Sequence, residues 1–314
     1  MKVVVETPAR LHFGLIDLEG SLGRLYGGLG MAVNPPSFSA SFEMSDKIMA
    51  ENLPEDLAGL FFNVLNRLNV SLRLRASSVL PLHVGLGATT QTSLAIGRAA
   101  SELYGLNYTI DELATLLGRG KLSSVGVELF KRGGFVLDGA KRPTNYAGSR
   151  LITRLEVPSD WIVVLAIPRD ERGLSEEKER EVFMRSFQKP PSKYPERISR
   201  LVLVKLIPAI IDNDLYEFGD ALSEIQQLVG DIFKNVQGGV IASSIGRRVL
   251  DVFREYGLTG LGQSSWGPTV YGFTSSNRTA EQVRESVGDI YGEKVEVVVG
   301  RPRNRGAELR KIPE

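Results

Sequence analysis

The passage that most constrains this chain is Pro81-Leu82-His83-Val84-Gly85-Leu86-Gly87-Ala88-Thr89-Thr90-Gln91, which runs straight into the apolar, helically spaced residues 92–100. Two glycines around one leucine, then hydroxyls, then that spacing describe a loop turning into a helix. Gly85 and Gly87 admit φ > 0 and close backbone approach to a ligand. The unpaired amides of the first helical turn, with the positive end of the dipole behind them, favour an anion such as phosphate. Thr89, Thr90 and Gln91 add donors at the helix mouth. The plainer reading is a tight structural turn. A Walker loop needs Gly-Lys-Ser/Thr and a dinucleotide fingerprint needs a third glycine, and neither is present.

At 314 residues the chain is long enough for a large core and two domains, which we place at 1–155 and 156–314. A net charge of +1 argues against nucleic acid or a membrane surface as partner. The absence of cysteine excludes disulfides, thiolate metal sites and a cysteine nucleophile. With only His12 and His83, a multi-histidine zinc site is not expected. Residues 1–6 read as a short strand rather than a signal peptide, and no apolar run approaches membrane-spanning length. A cytoplasmic enzyme is the default expectation.

Residues 2–18 read as β, and Arg10 and His12, two apart, point to one strand face. Two cations there repel unless an anion or a carboxylate joins them, or unless the face is solvated. Residues 20–30 form a glycine-dense stretch around Arg24 and Tyr26, either a loop over a ligand or a wide turn, and Asn34-Pro35-Pro36 ends the segment. Strands are expected at 37–43 and 71–75 and an amphipathic helix at 55–68, with a capped helix starting at Thr109. Arg119 and Lys121 lie in a hydroxyl-bearing loop suited to a second phosphate contact or to solvent. Asp138 closes the strand 135–137, where it serves a ligand or a turn.

Turn formers gather at 143–148. Beyond them come a strand at 161–167, a charged helix at 175–187, a loop at 189–192, and helices at 196–211, 215–230 and 249–256. A second glycine-rich loop, Gly260–Phe273 with Gln263, Ser264, Ser265 and Trp266, leads into a strand, then a helix at 280–291 and a strand at 294–299. That order suggests a ferredoxin-like α+β unit.

Three segments together resemble the GHMP superfamily of small-molecule kinases over the whole chain: the Pro-Ala-Arg strand, the Gly85-Leu86-Gly87 turn before its helix, and the late glycine-rich loop. Arg10 to Asp17, Thr90-Gln91, Gly118-Arg119-Gly120, Gly133-Gly134-Phe135 with Asp138-Gly139, and Gly262 to Pro268 resemble one branch of it. That branch is the β-ribofuranosylaminobenzene 5′-phosphate synthases of methanopterin biosynthesis. Ala88-Thr89 departs from the branch, which usually reads Ser-Gly there. The resemblance implies a two-domain GHMP-kinase-like α+β fold, with an N-terminal α/β domain of ribosomal-protein type and a C-terminal ferredoxin-like α+β domain.

It also implies a pentosyltransferase chemistry. Phosphoribosyl pyrophosphate condenses with 4-aminobenzoate or 4-hydroxybenzoate, a ring carbon attacks the anomeric carbon, and carbon dioxide and pyrophosphate leave. Mg²⁺ and a homodimer are implied as well. On this reading Arg10 or Arg24 orients the benzoate carboxylate, while Arg119 or Lys121 assists the glycine loop. Asp17 or Asp138 stabilises the cationic sugar or binds Mg²⁺; His12 or His83 moves a proton; and Trp266 stacks on the ring. Kinase relatives carry a Ser-Gly-x-Asp stretch whose carboxylate activates the acceptor hydroxyl. Aligned on Ser123-Ser124-Val125, that position is Gly126, which can take no proton. An ATP-dependent GHMP-type kinase is the alternative enzyme, and a non-catalytic ligand-binding protein is a third reading.

Overall fold

The computed structural model describes residues 1–142, 150–173, 181 and 194–313. Residues 2–17 alternate buried and half-buried positions and form strand β1 (Lys2–Asp17), paired antiparallel with β2 (Tyr26–Met44). The glycine-dense stretch is therefore shorter as a loop than expected, because residues 26–30 are already strand. Neighbours demand glycine there: a Cβ on Gly28 would strike the Ser123 hydroxyl, and one on Gly30 the Leu11 carbonyl oxygen. Nor do the prolines end the segment. The register with β1 shifts between Pro8 and Ala9, and β2 continues past Pro36 to Met44.

Then come β3 (Met49–Glu51), α1 (Glu55–Leu68), β4 (Leu72–Ser78), α2 (Ala88–Tyr104), α3 (Ile110–Leu116), α4 (Val125–Arg132), β5 (Phe135–Asp138) and β6 (Leu151–Leu155). Helix α1 buries Leu57, Phe61, Val64, Leu65 and Leu68, a stripe at the spacing of one helix face. Helix α2 is buried almost all round and packs on β1, β2, α1, α3 and α4. Thr109 and Glu112 form the reciprocal cap expected at the start of α3, with the Glu112 amide donating to Thr109 Oγ1 (3.2 Å) and the Thr109 amide to Glu112 Oε2 (2.8 Å).

The second half contains β7 (Ile162–Pro168), α5 (Tyr194–Leu201), one π-helical turn (Val202–Leu206), α6 (Ile207–Ile211), α7 (Leu215–Gln237) and α8 (Ser244–Glu255). It ends in β8 (Thr259–Gln263), β9 (Val270–Thr274), α9 (Asn277–Tyr291), β10 (Val295–Pro302) and β11 (Glu308–Ile312). The expected helices and strands are present, with α7 longer by two turns than the spacing suggests. The expectations for 143–148, 175–187 and 189–192 lie outside the described residues.

Strand order β10-β7-β9-β8, antiparallel throughout, is the 4-1-3-2 arrangement of a ferredoxin-like sheet. Strand β10 also pairs with β2, and β11 returns to β1, so one continuous sheet order, β11-β1-β2-β10-β7-β9-β8, joins the halves. Phe13 of β1 meets Phe135, Phe218, Tyr271 and Phe273 at ring-centroid distances of 5.4–6.4 Å, knitting both halves into one core. No helix among the described residues is long and apolar enough to cross a membrane.

Candidate active site

Helix α2 starts on Gly87, held at φ +75, with no side chain capping it and no acidic residue in its first turn. Its first amides therefore have no anionic partner from the helix itself. They open on a hollow of about 80 Å³ lined by Arg10, His83, Thr89 and Thr90, with Trp266 also on its wall. Arg10, Thr90, Ser265 and Trp266 line both this hollow and a cavity of about 610 Å³. The two spaces thus meet at strand β1, whose Arg10 and His12 share a face as their spacing predicts.

The two glycine-rich loops interlock to make this mouth. A Cβ on Gly85 would collide with the Ser264 carbonyl oxygen, and one on Gly267 with the Val84 backbone. Ser264 is fully buried; its hydroxyl donates to Gly85 O (2.7 Å) and accepts from the His12 amide (3.0 Å). Arg10 Nη1 reaches the same Gly85 carbonyl (3.3 Å). Ser264 is thus a structural fastening, not the ligand contact expected of it. Gln263 is similarly engaged, accepting from the Ala242 amide (2.7 Å) and donating to Ser265 O (2.8 Å) at the cavity edge.

A chain of polar groups runs from the cavity wall inward. The Gly14 amide donates to His12 Nδ1 (3.1 Å), which leaves Nε2–H to donate to Ser123 Oγ (3.1 Å). Ser123 in turn donates to Asp138 Oδ2 (3.2 Å), and Asp138 also accepts from the Gly28 amide (2.5 Å) and the Ser124 amide. Burial, reinforced by the Arg10 guanidinium, lowers the His12 imidazole to about 3. His12 is thus neutral, with both ring nitrogens bonded within the protein. Asp138 is buried to 1% exposure, and burial pushes its carboxyl above the usual range despite its donors. It stands behind Ser123, outside the cavity lining.

The remaining expected residues divide. Arg119, Lys121 and Trp266 line the large cavity, Trp266 with its ring edge-on to Phe233 at 4.4 Å. Gln91 does not: fully buried, it accepts from Thr7 Oγ1 (2.5 Å) and donates to Gly126 O (2.8 Å). Asp17 accepts from the amides of Glu19 (2.7 Å) and Gly20 (2.8 Å), shaping a turn away from the cavity. Arg24 is exposed and donates to Ala140 O (3.1 Å). His83 is exposed at φ +59 and lines only the small hollow.

Sequence reasoning missed Arg67, Ser123, Lys141 and the cavity wall offered by α7. Arg67, on the last turn of α1, lines the large cavity. Lys141 is buried, its ammonium lowered by that burial, and it donates to the Gly120 carbonyl below the Gly118–Lys121 loop. Among the described residues the large cavity is lined by Arg10, Arg67, Arg119 and Lys121 and by no carboxylate. Gly126 faces Thr90: a Cβ there would lie 3.3 Å from Thr90 Cγ2.

Models described as the GHMP kinases N terminal domain and GHMP kinases C terminal match residues 52–128 and 206–293. A homoserine kinase from Cytophaga hutchinsonii superimposes with a TM-score of 0.64 at 18% identity, covering 98% of this chain and 97% of that one. The chain is 37% identical to the β-ribofuranosylphenol 5′-phosphate synthase of Archaeoglobus fulgidus, over 97% of this chain and 98% of that protein. It is 32% identical to the protein of the same name from Methanothermobacter thermautotrophicus, over 99% of each. These full-length matches, together with the two matched GHMP models, show the family: the chain belongs to the β-ribofuranosylphenol 5′-phosphate synthase family of the GHMP superfamily.

Proposed function

We propose that this enzyme transfers the 5-phosphoribosyl group of phosphoribosyl pyrophosphate to the ring carbon that bears the carboxylate of a 4-substituted benzoate. The C–O bond to pyrophosphate and the C–C bond to the carboxylate break, and a new C–C bond joins ring and sugar. The phenol in the relatives' name favours 4-hydroxybenzoate over 4-aminobenzoate as acceptor.

The observation that carries this reading is the cavity lined by four cationic side chains and, among the described residues, no carboxylate. A donor with phosphate at both ends needs that balance of charge, and an acceptor that leaves carbon dioxide rather than a proton needs no base. A kinase acting on a hydroxyl does need one, and Gly126 supplies none. On this reading the α2 amides with Thr89 and Thr90 hold the diphosphate, and charge growing on it as it departs is met by those amides and by Arg10. Leu15, Tyr26, Phe233 and Trp266 give the aromatic ring an apolar wall. Neutral His12 and Ser123 present fixed dipoles to the sugar without taking a proton.

The described residues do not suit a resident Mg²⁺. No group of three or more histidines and carboxylates is found among them, and the Asp138 oxygens are occupied by protein donors. No step is assigned to a protein-held metal; a divalent ion belongs to the diphosphate as part of the substrate. Incubation with phosphoribosyl pyrophosphate, Mg²⁺ and carboxyl-labelled benzoates, counting released carbon dioxide, tests the reading. Release from neither benzoate, with phosphoryl transfer from ATP to a small alcohol instead, overturns it.

A further inference from the structure

Arg67 and Arg119 come from different elements and end on neighbouring atoms. Arg67 Nη1 donates to Leu116 O (2.9 Å) and Arg119 Nε to Leu117 O (3.1 Å), two consecutive carbonyls at the C-terminal end of α3. Both guanidinium groups are thereby fixed at one place. Gly118 and Gly120, at φ +71 and +76, turn the chain so that Lys121 joins the same wall. Buried Lys141 holds that turn from beneath through the Gly120 carbonyl.

Capping a helix C-terminus explains one cation there. It does not explain why three cationic side chains share one wall of the cavity, where their fields add and draw an anion. These three residues line the large cavity and not the small hollow under α2, whereas Arg10 and Thr90 line both. The basic surface is thus split into two ends with strand β1 between them.

We propose that Arg67, Arg119 and Lys121 form a second anion subsite, one that takes the 5′-phosphate monoester of the sugar donor while the α2 mouth takes its diphosphate. The assignment rests on the phosphoribosyl reading for its ligand. It makes the enzyme selective for a phosphorylated sugar, with the ribose lying along Arg10 and His12.

The test uses the full chain, with calorimetry against ribose 5-phosphate and against inorganic pyrophosphate, together with turnover of phosphoribosyl pyrophosphate. Arg67→Met keeps the apolar stem and removes the charge. It is expected to weaken ribose 5-phosphate at least about tenfold, the size of one lost charge-assisted bond, and to leave pyrophosphate within about twofold. The KM for phosphoribosyl pyrophosphate should rise by a similar factor at constant KM for the benzoate. Lys121→Met, at an exposed position, should show the same split more weakly and serves if the arginine variant does not fold. Equal loss of both ligands, or loss of pyrophosphate alone, overturns the subsite. Wild-type turnover without any split in either variant sinks the subsite and leaves the reaction standing. Selective loss of ribose 5-phosphate in a protein that turns over no phosphoribosyl pyrophosphate does the reverse.

Discussion

The α2 end of the cavity offers mainly backbone, amides presented by Gly87 and the first helical turn, whereas the α3 end offers the side chains of Arg67, Arg119 and Lys121, and on the proposed reading each end would take one phosphate group. The first grip is built from chain geometry and is rigid, because the interlocked loops leave no room for a Cβ at Gly85 or Gly267. The second is built from long side chains, the two arginines anchored on carbonyls, and each can be removed without touching the backbone. Backbone grips fail all at once and side-chain grips by degrees. That difference orders the following expectations.

Gly85→Ala carries the largest effect. With φ +93 and the Ser264 carbonyl in the way, the mouth must open, at a cost of about 3 kcal/mol or more. The thermal midpoint should fall by roughly 6 °C or more with activity lost, and an unchanged midpoint would break the interlock account. Gln91→Ala comes next. It strands the buried Thr7 hydroxyl and the Gly126 carbonyl, costing about 2–3 kcal/mol in urea unfolding, while pyrophosphate affinity of the folded protein stays within about twofold. Its neighbour should do the opposite. Thr90→Ala is expected to weaken pyrophosphate about tenfold by calorimetry with stability nearly unchanged, and matching behaviour at the two positions would erase the distinction between them.

His12 gives a smaller, pH-dependent effect. Its folded pKa is depressed to about 3, so from pH 6.5 downward the unfolded chain takes up a proton that the folded one refuses. Stability is therefore lost on acidification, by about 1 kcal/mol between pH 6.5 and 5.5. His12→Asn should flatten that slope in unfolding curves at several pH values; an equally steep slope would assign the dependence to other groups. The smallest effect is expected at Arg24, exposed and outside the cavity lining. Arg24→Ala should leave turnover within about twofold and stability within about 0.5 kcal/mol.

What was legible in advance follows the range of the forces involved. The Gly85-Leu86-Gly87 turn, the α1 stripe and the shared face of Arg10 and His12 depend on residues a few positions apart, and all three are where the spacing puts them. The ferredoxin-like order of the second half was readable for the same reason. Gln91 and Ser264 were misread because a polar side chain at a helix mouth serves a ligand or the protein with the same chemistry. Only the packing, Thr7 and Gly126 for one and Gly85 for the other, decides which. Arg67 and Ser123 were invisible as site residues, since α1 and the segment before α4 meet the cavity only after the chain has folded back. Gly28 and Gly30 carried a signal: glycine in strand marks close approach, here of Ser123 and the Leu11 backbone.

The Ser264 hydroxyl joins the backbone of His12 to the carbonyl of Gly85. The same two segments are also joined by the Arg10 amide donating to Leu86 O (2.9 Å) and by Arg10 Nη1 donating to Gly85 O (3.3 Å). Residues 85–86 and strand β1 therefore form one braced frame, and a substitution that displaces the glycine turn also displaces the strand that carries His12.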